Sequence, residues 1–242
     1  MEMNKNLVSI VKTLSPETLP LSLSGIAVGS MLAAADYHVS ALVVLFVILT
    51  SVSLHFFMAS GSKAALVPSV SFAILSVYFS FGKILMLESL LMLLFTYFIM
   101  RLACGIVGTG RSRVTDGLVM CFLTGPVAVM GTYYLCSHTF GTMMLLFPAL
   151  SVGAMNIGLF GSMDGYGKKM TAALVLSGFV LMTVYAMMRM HDIWHYLFLI
   201  SLPGFAVYFM QLRKGKDRVV LLGLSVMAFA VLTGLGFMAF LF

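Results

Sequence analysis

Charge is what this sequence has least of. Asp, Glu, Lys and Arg make up 9% of its 242 residues, against roughly 25% in an ordinary soluble domain. So few charges cannot dress a water-facing surface, and the chain is read as a membrane protein. Cysteine is scarce too. Cys104, Cys121 and Cys136 stand apart from one another and from histidine, in or beside apolar runs where a thiol behaves as a small hydrophobe. Neither a disulfide framework nor a zinc site follows. Acids are outnumbered, 8 Asp+Glu against 14 Lys+Arg, for a net charge of +6. In a soluble protein that excess would point to an anionic partner. In a membrane chain the placement of the cations says more than their sum, and no nucleic-acid partner is expected.

What the sequence has in quantity is apolar length. Hydrophobic residues are 61% of the chain, and the mean hydropathy is +1.09. A helix crosses ~30 Å of hydrocarbon in about 20 residues. Nine apolar runs of that order are separated by polar or Gly/Pro punctuation, over approximately 18–36, 39–59, 65–82, 84–103, 117–136, 142–160, 170–188, 194–211 and 219–242. The expected fold is therefore all-α, a polytopic bundle of nine transmembrane helices forming one domain over 1–242. With the N terminus in the cytoplasm, Lys5, Lys12, Lys63, Arg101, Arg111, Arg113, Lys168, Lys169, Arg213, Lys214, Lys216 and Arg218 share one side, leaving Lys83 and Arg189 on the other. This is the positive-inside pattern. It predicts an integral protein of the inner (cytoplasmic) membrane with its C terminus outside. The first run also resembles a signal sequence, with Lys5 and Lys12 before it and small residues in "MLAAADY" near its end; it is read as a retained span.

Few stretches carry chemistry. "GTGRSR" (Gly108 to Arg113) has no preceding strand and so cannot be the phosphate loop of a βαβ unit. "HDIWH" (His191 to His195) spaces two histidines as a zinc-protease helix does, but with Asp for the usual Glu and no third ligand, and it reads as interfacial residues around Trp194. Glu88 lies in an apolar run, where a carboxylate is a functional candidate by default, although Lys83 is five residues away and near the same end. His55 is read either as a buried hydrogen-bonding histidine or as a ligand. The stretch "NIGLFGSMDGYGKKMT" (Asn156 to Thr171) joins four glycines to one carboxylate and two lysines. With Lys63, Arg111 and Arg113, the cations Lys168 and Lys169 could surround one opening and hold a diphosphate; orientation alone also demands cations on that side.

Nine spans with polar loops after the second and sixth resemble the UbiA-type intramembrane prenyltransferases. "TLPLSLSGIAVG" (Thr18 to Gly29) is similar to the family's opening segment. "TDGLVMCFLTGPVAVMGTYYL" (Thr115 to Leu135) resembles the fifth span of the 1,4-dihydroxy-2-naphthoate polyprenyltransferase (MenA) branch, with Asp116 at the place of its loop aspartate. "GKKMT" (Gly167 to Thr171) is similar to the ending of its loop after span six. The resemblance implies transfer of a polyprenyl group from its diphosphate to 1,4-dihydroxy-2-naphthoate in menaquinone biosynthesis, with Mg²⁺ held by two aspartate-rich motifs.

Those motifs are altered here. Where the first should close span two, the chain reads "HFFMASGSKAAL", with Met58, Ala59 and Ser62 at its polar positions. In the second, Asn156 matches while Leu159 and Met163 replace aspartates, and Asp164 lies one place from the second of them. The carboxylates left for Mg²⁺ are Asp116 and Asp164, with Asn156 beside them, a small set for a hard cation that prefers carboxylate and phosphate oxygens. Two functions follow from the resemblance. One is a prenyltransferase with a single Mg²⁺. The other is an inactive paralogue that binds a prenyl lipid or quinone-like molecule, or serves as the membrane partner of another subunit.

Overall fold

The computed structural model describes residues 19–60, 64, 66–82, 87–108, 119, 122–139, 141–163, 168–189, 192–214 and 219–239. Apart from short turns these residues are helical, with no strand among them. The helices are α1 (Leu19–Asp36), α2 (Ala41–Ser60), α3 (Leu66–Phe81), α4 (Leu87–Gly108), α5 (Ala128–Ser137), α6 (Leu146–Met163), α7 (Lys168–Met188), α8 (Leu202–Arg213) and α9 (Val219–Met238). Three of them deviate at their starts. α5 is preceded by a π-turn over Leu123–Val127, α6 by a 3₁₀ turn over Met143–Leu145, and α8 by a 3₁₀ segment over Ile193–Ser201.

Each expected apolar run carries a helix, so the all-α class holds for the described residues. By length and hydropathy together, three described stretches suffice to cross a membrane: Lys168–Met188, Ile193–Arg213 and Val219–Met238. Successive helices run in alternating directions. Contacts made across the bundle mark its two ends and set α7 antiparallel to α8: the Asp36 side chain meets Arg189 at one end, and the Lys168 ammonium meets the carbonyl of Leu212 at the other. These are called below the Arg189 end and the Lys168 end.

α1 is the central element, packed against α2, α5, α6 and α9. Its Gly25 and Gly29, four residues apart, let the backbones close. A Cβ on Gly29 would meet the carbonyl oxygen of Val129 and lie 3.1 Å from the Thr132 Cβ. Small residues at this spacing bring helices together where lipid offers no hydrophobic drive. On one flank α7, α8 and α9 are joined by the ring cluster Phe179, Phe198, Phe205 and Phe229. On the other, α2 packs on α3, and α4 packs on both. Several hydroxyl groups inside the bundle turn back on their own helices, as Thr50 does to the Phe46 carbonyl and Thr96 to that of Met92, which satisfies them without water.

The π-turn has an identifiable cause. Pro126 lies within it, and a proline ring collides with the carbonyl four residues earlier while supplying no N–H. Widening the turn relieves both conflicts. Gly125 faces Gly153 of α6 so closely that an added Cβ would sit 2.7 Å from the Gly153 nitrogen.

Candidate functional site

α4 stands away from α5, and the space between them is an apolar cleft of about 530 Å³. α4 contributes Glu88, Leu91, Met92 and Phe95, one helical stripe; the π-turn and α5 contribute Pro126, Val127, Met130, Gly131 and Tyr134. The cleft follows α5 from Phe122 to Tyr134, roughly 18 Å at helical rise. It adjoins a smaller cavity of about 140 Å³ between α1 and α2–α5, where Thr50, Ser51, Ser76, Thr96, Thr124 and Thr132 are set among aliphatic and aromatic side chains. Met92, Phe95, Val127 and Gly131 line both spaces. At Gly131 the cleft is open, since an added Cβ there would find nothing within 4 Å. Glu88, in the first turn of α4, lies exposed at the Arg189 end of the cleft beside Tyr134.

Behind this cavity is a buried polar junction. Asn156 of α6 is fully buried. Its Nδ2 donates to the Thr124 hydroxyl at 3.1 Å, and its Oδ1 accepts from the Ser24 hydroxyl at 3.3 Å. One amide thus ties α1, α6 and the π-turn together. Its carbonyl oxygen, the atom that would face a cation, is engaged by Ser24. Among the described residues no three His, Cys, Asp or Glu side chains gather as a metal group. The described residues therefore do not by themselves form a Mg²⁺ site; Asp116 and Asp164 lie outside them.

Of the cations expected to hold a diphosphate, Lys63, Arg111 and Arg113 also lie outside the described residues. Lys168 and Lys169 open α7 and are exposed. Lys168 Nζ donates to the Leu212 carbonyl at 2.8 Å, covering one of the acceptors that a helix leaves open at its C terminus. The start of α7 is thereby tied to the end of α8. Arg101, Arg213 and Lys214 share this Lys168 end, whereas the described acids Asp36, Glu88 and Asp192 are all at the opposite end with Arg189.

Sequence reasoning missed one polar grouping among the described residues. At the Arg189 end, the guanidinium grips the Asp36 carboxylate with both terminal nitrogens, Nη1 to Oδ1 at 2.8 Å and Nη2 to Oδ2. Tyr133 donates its hydroxyl to the same carboxylate at 3.2 Å. The hydrogen bond to Asp36 raises the pKa of Arg189, outweighing partial desolvation, so the guanidinium stays charged. With Tyr37, Thr139, Gly141, Thr142 and Tyr185, these groups line a cavity of about 510 Å³. The wall is shaped by a sharp corner in which His138 is left-handed, at φ 59°, and Gly141 follows at φ 63°. In the sequence Arg189 is an exception to the charge pattern and Asp36 a polar end to an apolar run. Both belong to the same expected face, which was the one available signal.

"HDIWH" takes a structural role in its described part. Asp192 caps the 3₁₀ segment by accepting from the Trp194 N–H, and His195 is buried, stacked on Phe237 with ring centroids 4.4 Å apart. His55 is likewise buried. Comparison with protein-family models and with curated proteins finds no match to this chain.

Proposed function

We propose that this chain is an integral membrane protein on the UbiA-type plan that holds a prenyl lipid or quinone-like molecule in the cleft between α4 and α5, without transferring the prenyl group. The cleft itself carries the reading. At about 530 Å³ it falls in the ~300–1,000 Å³ range of small-molecule sites, and its lining is long and apolar, as an isoprenoid chain requires. Catalysis by the family's route needs carboxylates to seat Mg²⁺ against a diphosphate; of the candidate ligands Asp116, Asn156 and Asp164, only the Asn156 amide is among the described residues, and it joins three helices. All nine helices are taken as membrane spans. The N terminus is assigned to the cytoplasm and the protein to the inner membrane, a reading supported by the cations at the Lys168 end and the acids at the other.

The second reading, an active prenyltransferase, is favoured by Asp116, Asp164 and the loop lysines, which keep part of the family's pattern. One experiment separates the two. Full-length protein in lipid nanodiscs is given geranylgeraniol, and separately geranylgeranyl diphosphate with 1,4-dihydroxy-2-naphthoate and Mg²⁺. Retention of geranylgeraniol, its loss in Gly131→Leu by about tenfold or more and no product above a protein-free blank are expected. Absence of retention would remove the binding reading. Product that disappears in Asp164→Ala would establish the enzyme.

A further inference from the structure

The cavity at the Arg189 end is separate from the lipid cleft. Consecutive residues of α5 divide the two, Tyr133 facing the polar cavity and Tyr134 the cleft. Its volume, about 510 Å³, is that of a small-molecule site, and its lining is polar in a particular way. Arg189 and Asp36 are partly sheltered, with 31% and 25% of their side-chain surface exposed, and they neutralise one another. The two charges cancel, so the centre of the cavity offers no net charge to draw in an anion or a cation.

Hydrogen-bonding capacity nevertheless remains on both sides. A guanidinium has five N–H groups and a carboxylate about four acceptor positions; two of the first and three of the second are used by the Asp36–Arg189–Tyr133 contacts. The phenols of Tyr37 and Tyr185 and the hydroxyl of Thr139, which donates to Tyr37 at 3.4 Å, line the same space. Groups that each donate and accept, around a charge-neutral centre, match a neutral molecule whose own groups do both.

We infer that this cavity binds a neutral polyhydroxylated ligand, either a free sugar or the sugar headgroup of a glycolipid. Carboxylate and guanidinium edges take neighbouring hydroxyls of the ligand, and the tyrosines supply further partners. The site is independent of whatever occupies the cleft.

The test uses full-length protein in nanodiscs. Glucose is offered in solution and followed by saturation-transfer NMR. Glucosyl-diacylglycerol is included in the lipid of a second preparation and followed by native mass spectrometry. Inorganic phosphate and glycine serve as anionic and zwitterionic competitors. Binding of glucose identifies a free sugar, and binding of the glycolipid alone identifies a headgroup. Either is expected to weaken about tenfold in Tyr185→Phe, the loss of one hydrogen bond, with melting temperature and geranylgeraniol retention unchanged. Thr139→Ala, at the rim, provides the same readout if Tyr185→Phe folds poorly. Failure of both glucose probes to bind, displacement of glucose by phosphate or glycine, or unchanged binding in both variants would overturn the inference.

Discussion

Asn156 shows what a single polar side chain does in an apolar bundle. Its amide has both partners provided, Oδ1 accepting from Ser24 and Nδ2 donating to Thr124, so its removal leaves two hydroxyls to find new bonds in an apolar interior. Asn156→Ala is expected to lower stability by about 1–2 kcal/mol, read as unfolding in mixed detergent micelles, and Ser24→Ala should cost less in that background than alone. Additive losses would show that the junction is not cooperative. The residue itself stood out in the sequence as a candidate Mg²⁺ ligand by its likeness to the family's second motif. Its partners did not, because Ser24 and Thr124 are ordinary small residues of other helices and only packing selects them. The Asp36–Arg189 pair was hidden for the same reason, its members being 153 positions apart.

At the level of helices, closeness is set by what lacks a side chain. Gly29 leaves no room for a Cβ against Val129 and Thr132, whereas Gly131, two residues past that same Val129 on α5, has open space. Gly29→Val should therefore destabilise the bundle by about 1–3 kcal/mol through overpacking, while Gly131→Leu should unfold as the parent does. Equal melting of the two variants would contradict the α1–α5 contact. Apolar run length located the helices to within a few residues, because hydropathy is a property of composition and survives any change of packing. The departures inside them were not legible. Pro126 is compatible with a kink, a break or a π-turn, and the apolar stretch Ile193–Ser201 has no pattern that distinguishes three residues per turn from 3.6.

For the molecule as a whole, the separation of charge is the main asymmetry. Cations crowd the Lys168 end, and the described acids accompany Arg189 at the other. With the endogenous cysteines replaced, a single cysteine at Asp192 should react in intact cells with a membrane-impermeant maleimide, and one at Lys214 only after the membrane is opened. The opposite labelling would invert the proposed orientation. Charge counting made this arrangement readable in advance, whereas the cleft was not, since it depends on α4 resting on α2 and α3 instead of closing against α5. That stand-off also governs how occupancy must be expressed. On the proposed topology α4 and α5 face lipid, and a molecule reaching the gap between them arrives from within the bilayer sheet, so its effective amount is a mole fraction among lipids. Titrations plotted against bulk aqueous concentration would report partitioning first and affinity second, and dilution with inert lipid should shift the half-saturation point even when the water phase is unchanged.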